Sequence, residues 1–424
     1  MNISTPDGYY PLTVASLAQY LANTLPKSLS LQGRPDEWEI SEVGDGNLNL
    51  VFIVQAPEKT LVVKQALPYV RAAGESWALS LSRSYFEYNI LVEERKHTRP
   101  ELVPEVFFYD EAMSLFIMEY LHPHIILRKG LMAGIEYPKL AEHIGVFLAE
   151  TLFHTSDIGM EASAKKDLVS RYAKNQELCK ITEDLIFTEP YFNAERNDWT
   201  SPELDEAVHS VWQDSELIQV AMQYKLKFMT EHQALLHGDL HSGSIMVTAD
   251  ETKVIDPEFG FMGPIAFDTG NYVGNLYMAF FSQFGLETDM DKRAAYQQWI
   301  LDKIEETWTV FVTRFCDLWD NKQQGEAYPV EIYHSADRSL LRNAQNLFFE
   351  SLFVDTLVNA GMEINRRIIG FAGVADFKSI EDPQVRAQCE APALALAREI
   401  MINPNSYRNF RDVNQKATLL FKGI

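Results

Sequence analysis

HGDLHSGSI at 237–245 and VIDPEFG at 254–260 are the two stretches on which the reading of this chain turns. The first fits a loop in which a His-x-Asp-Leu run enters a turn and offers Asp239 outward. The second fits a short apolar strand that ends on Asp256. The two carboxylates lie 17 positions apart (256 − 239). An extended Asp256-Pro257-Glu258 run would put Asp256 and Glu258 on the same side, because residues i and i+2 of a strand share a face.

A loop Asp followed at this distance by a strand-end Asp is what phosphoryl transfer to a hydroxyl requires, and the spacing is close to that found in kinases. An alcohol is a poor nucleophile and a polyphosphate repels it. One carboxylate must therefore orient the hydroxyl and accept its proton, which suits Asp239. Another must hold Mg²⁺, a cation that takes hard oxygen ligands and keeps several waters; this suits Asp256 and Glu258. Taken singly, each acid would read as a solvated loop residue or a turn cap.

Upstream residues supply the other half of such a site. Lys64 interrupts an otherwise apolar run, Leu-Val-Val-Lys, and a lysine in a buried strand needs a partner. ATP phosphates and a helix carboxylate would provide one, with Glu87 on the next predicted helix as the candidate. GDGNLN at 44–49 lies between two predicted strands, where Gly44 and Gly46 allow backbone N–H groups to cradle an anion. An ordinary hairpin turn reads equally well there. Glu119, Tyr120 and Leu121 close the last predicted strand of this region, where a kinase-like hinge would offer backbone groups to adenine. Arg366 and Arg367 stand side by side in GMEINRRIIGFAG, too apolar a setting for both to face water. A structural salt bridge is the competing reading of that pair.

The rest of the chain sets the frame. Its 424 residues favour two lobes, and 46% hydrophobic with 12% aromatic content excludes wholesale disorder. A net charge of −23, from 37 basic and 60 acidic residues, speaks against general nucleic-acid binding. Cys179, Cys316 and Cys389 show no metal or paired spacing, and no signal peptide or membrane span is legible. The expectation is a cytoplasmic protein without nucleic-acid or membrane partners. Strands are expected at 38–43, 50–54, 60–66, 103–110 and 114–120, with helices at 12–25 and 82–96. After residue 120 the pattern turns helical, at 138–154, 203–231, 266–285, 291–318, 338–361 and 385–402, with short strands at 244–247 and 252–255. The fold class is thus α+β and bilobal in the manner of protein kinases. Residues 1–120 would form a β-rich nucleotide lobe, and 121–424 a helical lobe with the catalytic loop.

With GDGNLN, VVKQALPYVR (62–71), GESW (74–77), HGDLHSGSI, IDPEFGFMGPIAFD (255–268) and NRRIIG (365–370), the chain resembles the methylthioribose kinase family. That family is grouped with aminoglycoside and choline phosphotransferases. The resemblance runs from about residue 35 to about residue 380. It implies transfer of phosphate from MgATP to the C1 hydroxyl of 5-methylthioribose in methionine salvage, by a homodimer. It further implies that Asn47 and Lys64 contact ATP phosphates and that 119–121 hold adenine. Asp256, Pro257 and Glu258 would carry metal and nucleotide, and Asp239 would act as base. Arg366 and Arg367 would enter the sugar site and stabilise the transferring group, and Trp77 would help to cover the sugar. Two departures stand out. Ser244 stands where general kinases have a metal-binding Asn, a Ser that is normal for this family; Tyr120 stands where the family commonly has Asp. A 5-deoxyribose kinase, an aminoglycoside or choline-type enzyme, and a nucleotide-binding pseudokinase are the competing readings.

Overall fold

A computed structural model describes residues 5–44, 48–71, 77–334 and 338–422. Near the N-terminus five strands form one antiparallel sheet: β1 (Glu39–Glu42), β2 (Asn49–Gln55), β3 (Thr60–Ala66), β4 (Val106–Asp110) and β5 (Leu115–Glu119). Their spatial order is β1-β2-β3-β5-β4. Alternation does the sorting. Phe52, Val54, Leu61, Val63, Leu115 and Ile117 face a small core closed by Leu17 and Leu21 of the helix Val14–Thr24. Residues of the opposite face, including Phe116 and Met118, join the main core with Leu91 of the helix Arg83–His97 and Ile144 and Leu148 of the helix Leu140–His154. Apolar packing is therefore continuous past residue 120.

The larger part of the chain is helical, as expected for this α+β class. At its centre lies Ile265–Leu286, whose residues from Ile265 to Gln283 are all buried. It packs on Ser339–Ile369, Met290–Lys322 and Pro383–Ile402. Glycine opens a further crossing. A Cβ at Gly145 would lie 2.7 Å from Val310 Cβ and 2.9 Å from the carbonyl of Thr307, so the helices Leu140–His154 and Met290–Lys322 meet backbone to side chain there. Among the described residues no helix is long and apolar enough to cross a membrane.

Three expectations need correction. The helix expected over 203–231 is two helices, Asp205–Gln213 and Ser215–Thr230. Asp214 leaves the helical region (ψ 92°), and its carboxylate accepts from Leu217 N at 3.1 Å, capping the second helix. The helix expected to end at 361 continues to Ile369. Gly361 is no stop signal but a contact point: its Cβ would lie 2.5 Å from Met401 Cγ. Helices at Ala162–Tyr172, Gln176–Leu185 and Phe410–Phe421 were not expected at all. Gly145→Ala should cost about 1–3 kcal/mol of stability through overpacking, read as a lower urea midpoint at unchanged slope. An unchanged midpoint would show that the two helices part freely.

Candidate active site

The two sides of the site come from the sheet and from the helical part. Lys64 sits on β3 between Val51 of β2 and Phe116 of β5, on the face turned toward the helix Arg83–His97. Its amine donates to Glu87 Oε1 at 2.7 Å and to Asp256. Glu87 is thus the helix partner that the spacing pointed to. Burial opposes the charge on Lys64, but Asp256, Glu87 and Glu258 outweigh it and hold the amine above its ordinary range. Burial pushes the Glu87 carboxyl up despite Lys64, with Asp256 and Glu258 adding to the rise.

Asp256 and Glu258 do not share one face of an extended segment. The strand ends at Val254, and Asp256 turns into the left-handed region with φ 70°. Aspartate tolerates this conformation better than most residues. The turn swings the Asp256 side chain toward Lys64 and leaves it 45% exposed, whereas that of Glu258 is only 4% exposed. Glu258 Oε2 accepts from Asn49 Nδ2 at 2.9 Å and lies 3.6 Å from Arg83 Nε. Arg83, fully buried, also donates to the carbonyls of Leu48, Leu67 and Ser80. It therefore ties the start of β2 to the end of β3. Of the loop before β2, Gly44 is described and has open space where a Cβ would be; Gly46 and Asn47 lie outside the described residues. Glu119 spends its N–H on the carbonyl of Glu105 and its carboxylate on Lys253. Tyr120 stacks on His122, and Leu121 is buried.

Asp239 is fixed from below. Gly238 has φ 84°, and a Cβ there would lie 2.3 Å from the carbonyl oxygen of Phe259, so only glycine lets the loop cross that chain. Asp268, in the first turn of the helix Ile265–Leu286, accepts from the backbone N–H groups of His237 (2.7 Å) and Gly238 (3.0 Å). Burial pushes its carboxyl up to about 7 against those hydrogen bonds. Ser244 Oγ donates to the carbonyl of Asp239 at 3.0 Å. At the position where general kinases place a metal-binding Asn, this hydroxyl closes the loop.

The arginine pair meets the same carboxylate. Arg366 Nη2 lies 2.6 Å and Arg367 Nη2 3.3 Å from Asp239 Oδ1. His241 Nε2 is 3.3 Å from Oδ2, while His241 Nδ1 accepts from Gly243 N at 2.8 Å. These partners make His241 a neutral imidazole with its proton on Nε2, and burial lowers its pKa to about 4. Burial alone would raise the Asp239 pKa; His241, Arg366 and Arg367 together hold it well below the usual carboxylate range. Both arginines lie within the helix Ser339–Ile369 and pair with its Glu363. Trp77 is half-buried, with the Arg196 guanidinium 4.7 Å from its ring and Phe371 at 5.9 Å. Residues 74–76 of the GESW run lie outside the described residues. Asp268, His241, Glu363 and Arg83 were missed in the sequence. Only the second His of HGDLH and the acid one turn before the arginines left a signal.

Residues 39–307 match the model of the phosphotransferase enzyme family. A methylthioribose kinase of Escherichia coli O45:K1 is 60% identical over 98% of this chain and 99% of its own. Methylthioribose kinase 1 of Oryza sativa subsp. japonica is 46% identical, over 96% and 94%. A Geobacillus methylthioribose kinase is 41% identical, over 97% of both. The chain belongs to the methylthioribose kinase family. It is accordingly an ATP-dependent kinase, and the aminoglycoside, choline-type and pseudokinase readings give way to the methylthioribose kinase family.

The pairing of Asp239 with the arginines has a pH signature. Its folded pKa is depressed, so the stability it supplies is complete above about 3.9, the value of an unfolded aspartate, and is lost as pH falls through the lower folded value. The difference in urea midpoint between the parent and Asp239→Asn should stay level from about pH 8 to 5 and change only below about 4. A difference that already moves between pH 7 and 6 would show that Asp239 is not the paired anion.

Proposed function

We propose that this kinase transfers the terminal phosphoryl group of ATP to the C1 hydroxyl of 5-methylthioribose, giving 5-methylthioribose 1-phosphate and ADP in methionine salvage. The observation that carries the reading is the convergence of Arg366 and Arg367 on Asp239, at 2.6 and 3.3 Å. Asp239 orients the sugar hydroxyl and takes its proton as the new O–P bond forms and the bond to the ADP oxygen breaks. Its depressed pKa keeps it ionised but makes it a weak base. That suits a loose transition state, in which proton removal is late and positioning dominates. The two guanidinium groups are placed to neutralise charge on the transferring phosphoryl oxygens.

Lys64, held by Glu87, is the cation for the ATP phosphates, with Gly44, Gly46 and Asn47 as the loop above them. The backbone of 119–121 is the place for adenine. Asp256, with Pro257 and Glu258, is the candidate Mg²⁺ segment, and the donor chemistry fits. Three carboxylates crowd one lysine, and the exposed one, Asp256, is a hard oxygen donor. Among the described residues no group of three His, Cys, Asp or Glu side chains is arranged to hold a metal ion. Mg²⁺ would thus rely on phosphate oxygens and water for its remaining ligands, as it commonly does, and would supply charge neutralisation at the phosphates. Residues 1–120 form the nucleotide lobe in this reading and 121–424 the lobe with the sugar site. The enzyme is a cytoplasmic homodimer, with a small sugar as its partner and neither nucleic acid nor membrane. The three cysteines, all unpaired, are consistent with a reducing compartment.

The Trp77–Phe371 pair beside the arginine helix favours a thioether, since sulfur packs well against aromatic rings. With MgATP the protein should turn over 5-methylthioribose, and Asp239→Asn should lower kcat by about 10²–10⁴-fold while leaving the fold intact. Unchanged turnover in that variant would remove Asp239 as the base. The kcat/KM for 5-methylthioribose should exceed that for 5-deoxyribose by about 10–200-fold, the scale set by a few apolar atoms in a pocket. Equal or reversed constants would hand the assignment to 5-deoxyribose.

A further inference from the structure

Two adjacent arginines on a helix point about 100° apart, yet the tips of Arg366 and Arg367 meet on one oxygen of Asp239. Glu363 is what bends them together. It lies three and four residues before them, the two spacings that share a helix face with it. Its Oε2 accepts from Arg366 Nε at 2.5 Å and its Oε1 from Arg367 Nε at 2.8 Å. Each guanidinium is therefore gripped at Nε while its Nη2 reaches Asp239, that of Arg366 also lying 3.4 Å from Glu363 Oε1. Glu363 is fully buried, and each arginine side chain is less than a tenth exposed.

A second tier fixes Glu363 in turn. Asn275 Nδ2 donates to Glu363 Oε1 at 2.9 Å, and Asn275 Oδ1 accepts from Arg128 Nη2 at 2.8 Å. Arg128 is itself paired with Asp376 at 2.9 Å. Asn275 reaches Glu363 because its neighbour is glycine: a Cβ at Gly274 would lie 2.8 Å from the carbonyl of Ala360 and 3.2 Å from Glu363 Cβ. One turn earlier, Gly270 makes the same close approach, to Asn359. Two glycines thus draw the helix Ile265–Leu286 against the helix of the arginines at the level where the amide is needed.

We infer that Glu363, braced by Asn275, is a positioning residue for phosphoryl transfer: it gathers Arg366 and Arg367 into one preformed clamp facing Asp239. This rests on the proposed sugar kinase reaction and goes beyond it by naming what organises the arginines. Glu363 is fully buried against the two arginines, so its removal should be felt in kcat and not in nucleotide binding.

The test is a double-mutant cycle of Glu363→Gln with Arg366→Lys/Arg367→Lys, followed by kcat, KM and calorimetric ADP affinity. Lysine keeps the charge but cannot hold Glu363 with one edge and Asp239 with the other. In the parent background Glu363→Gln should lower kcat by about 10–100-fold and leave ADP affinity within about twofold. In the dilysine background it should change kcat by no more than about twofold, because a residue that acts through the arginines has nothing left to organise. Asn275→Ala should show the same pattern at smaller size, and it carries the test should Glu363→Gln fail to fold. Losses that multiply across the cycle, or ADP affinity that falls in step with kcat, would reveal a purely structural carboxylate and overturn the inference. The sugar is 5-methylthioribose. If the parent ignores it but uses 5-deoxyribose, the substrate assignment has failed and the cycle is run with 5-deoxyribose instead.

Discussion

Burying two neighbouring guanidinium groups is the constraint around which the helical part of this protein is arranged. Unpaired, each would carry a desolvation cost of several kcal/mol. Here two carboxylates, Asp239 and Glu363, balance the two cations, and nearly all of the group is shut away from water. Both acids come at a structural cost of their own. Asp239 needs a glycine before it and Asp268 beneath its loop. Glu363 needs Asn275, and Asn275 needs Gly274. The largely buried helix Ile265–Leu286 supplies Asp268 at its start and Asn275 two turns on, so one element positions both sides of the clamp.

The nucleotide side works on the opposite electrostatic principle. Around Lys64 the carboxylates outnumber the amine: Glu87, Asp256 and Glu258 all act on it. Arg83 offsets one of them from behind, at 3.6 Å from Glu258. What is left is a negative field that opens to solvent at Asp256. A closed, charge-balanced acceptor side faces a donor side that is deficient in positive charge, which is a suitable division for a reaction in which metal and phosphates arrive together.

The sequence made the donor side legible because its signals are local. A lysine in an apolar strand, an acid on the next helix and two aspartates at a set distance are each readable from one short window, and Lys64, Glu87 and Asp256 do meet. The backbone at Asp256 was not legible, since no pattern announces φ 70° at a non-glycine residue. The arginine pair was visible as chemistry but misplaced as structure. The expected helix stopped at Gly361 and left the arginines beyond it, whereas Gly361 marks a tight crossing near Met401 and the helix runs on to Ile369. With the helix ended too early, Glu363 had no periodic relation to the arginines and went unseen. Ala162–Tyr172 was missed for a different reason: its stretch is strongly polar, with few core-facing side chains to set a rhythm. Asp268 and Asn275 lie so deep in an apolar helix that only their loop and side-chain partners reveal what they do.

The position of Arg366 and Arg367 along their helix has one more consequence. They stand in its last turn, where the backbone carbonyls of a 31-residue helix run out of intrahelical donors. The aligned peptide dipoles leave a partial negative charge at that end, and cations in the final turn are favoured by it, by up to about 2 kcal/mol where partly buried. The peptide chain thus contributes a share of the counter-charge that the side chains cannot. Shifted toward the start of the same helix, the identical pair would meet a partial positive charge instead, and two carboxylates alone would have to hold it.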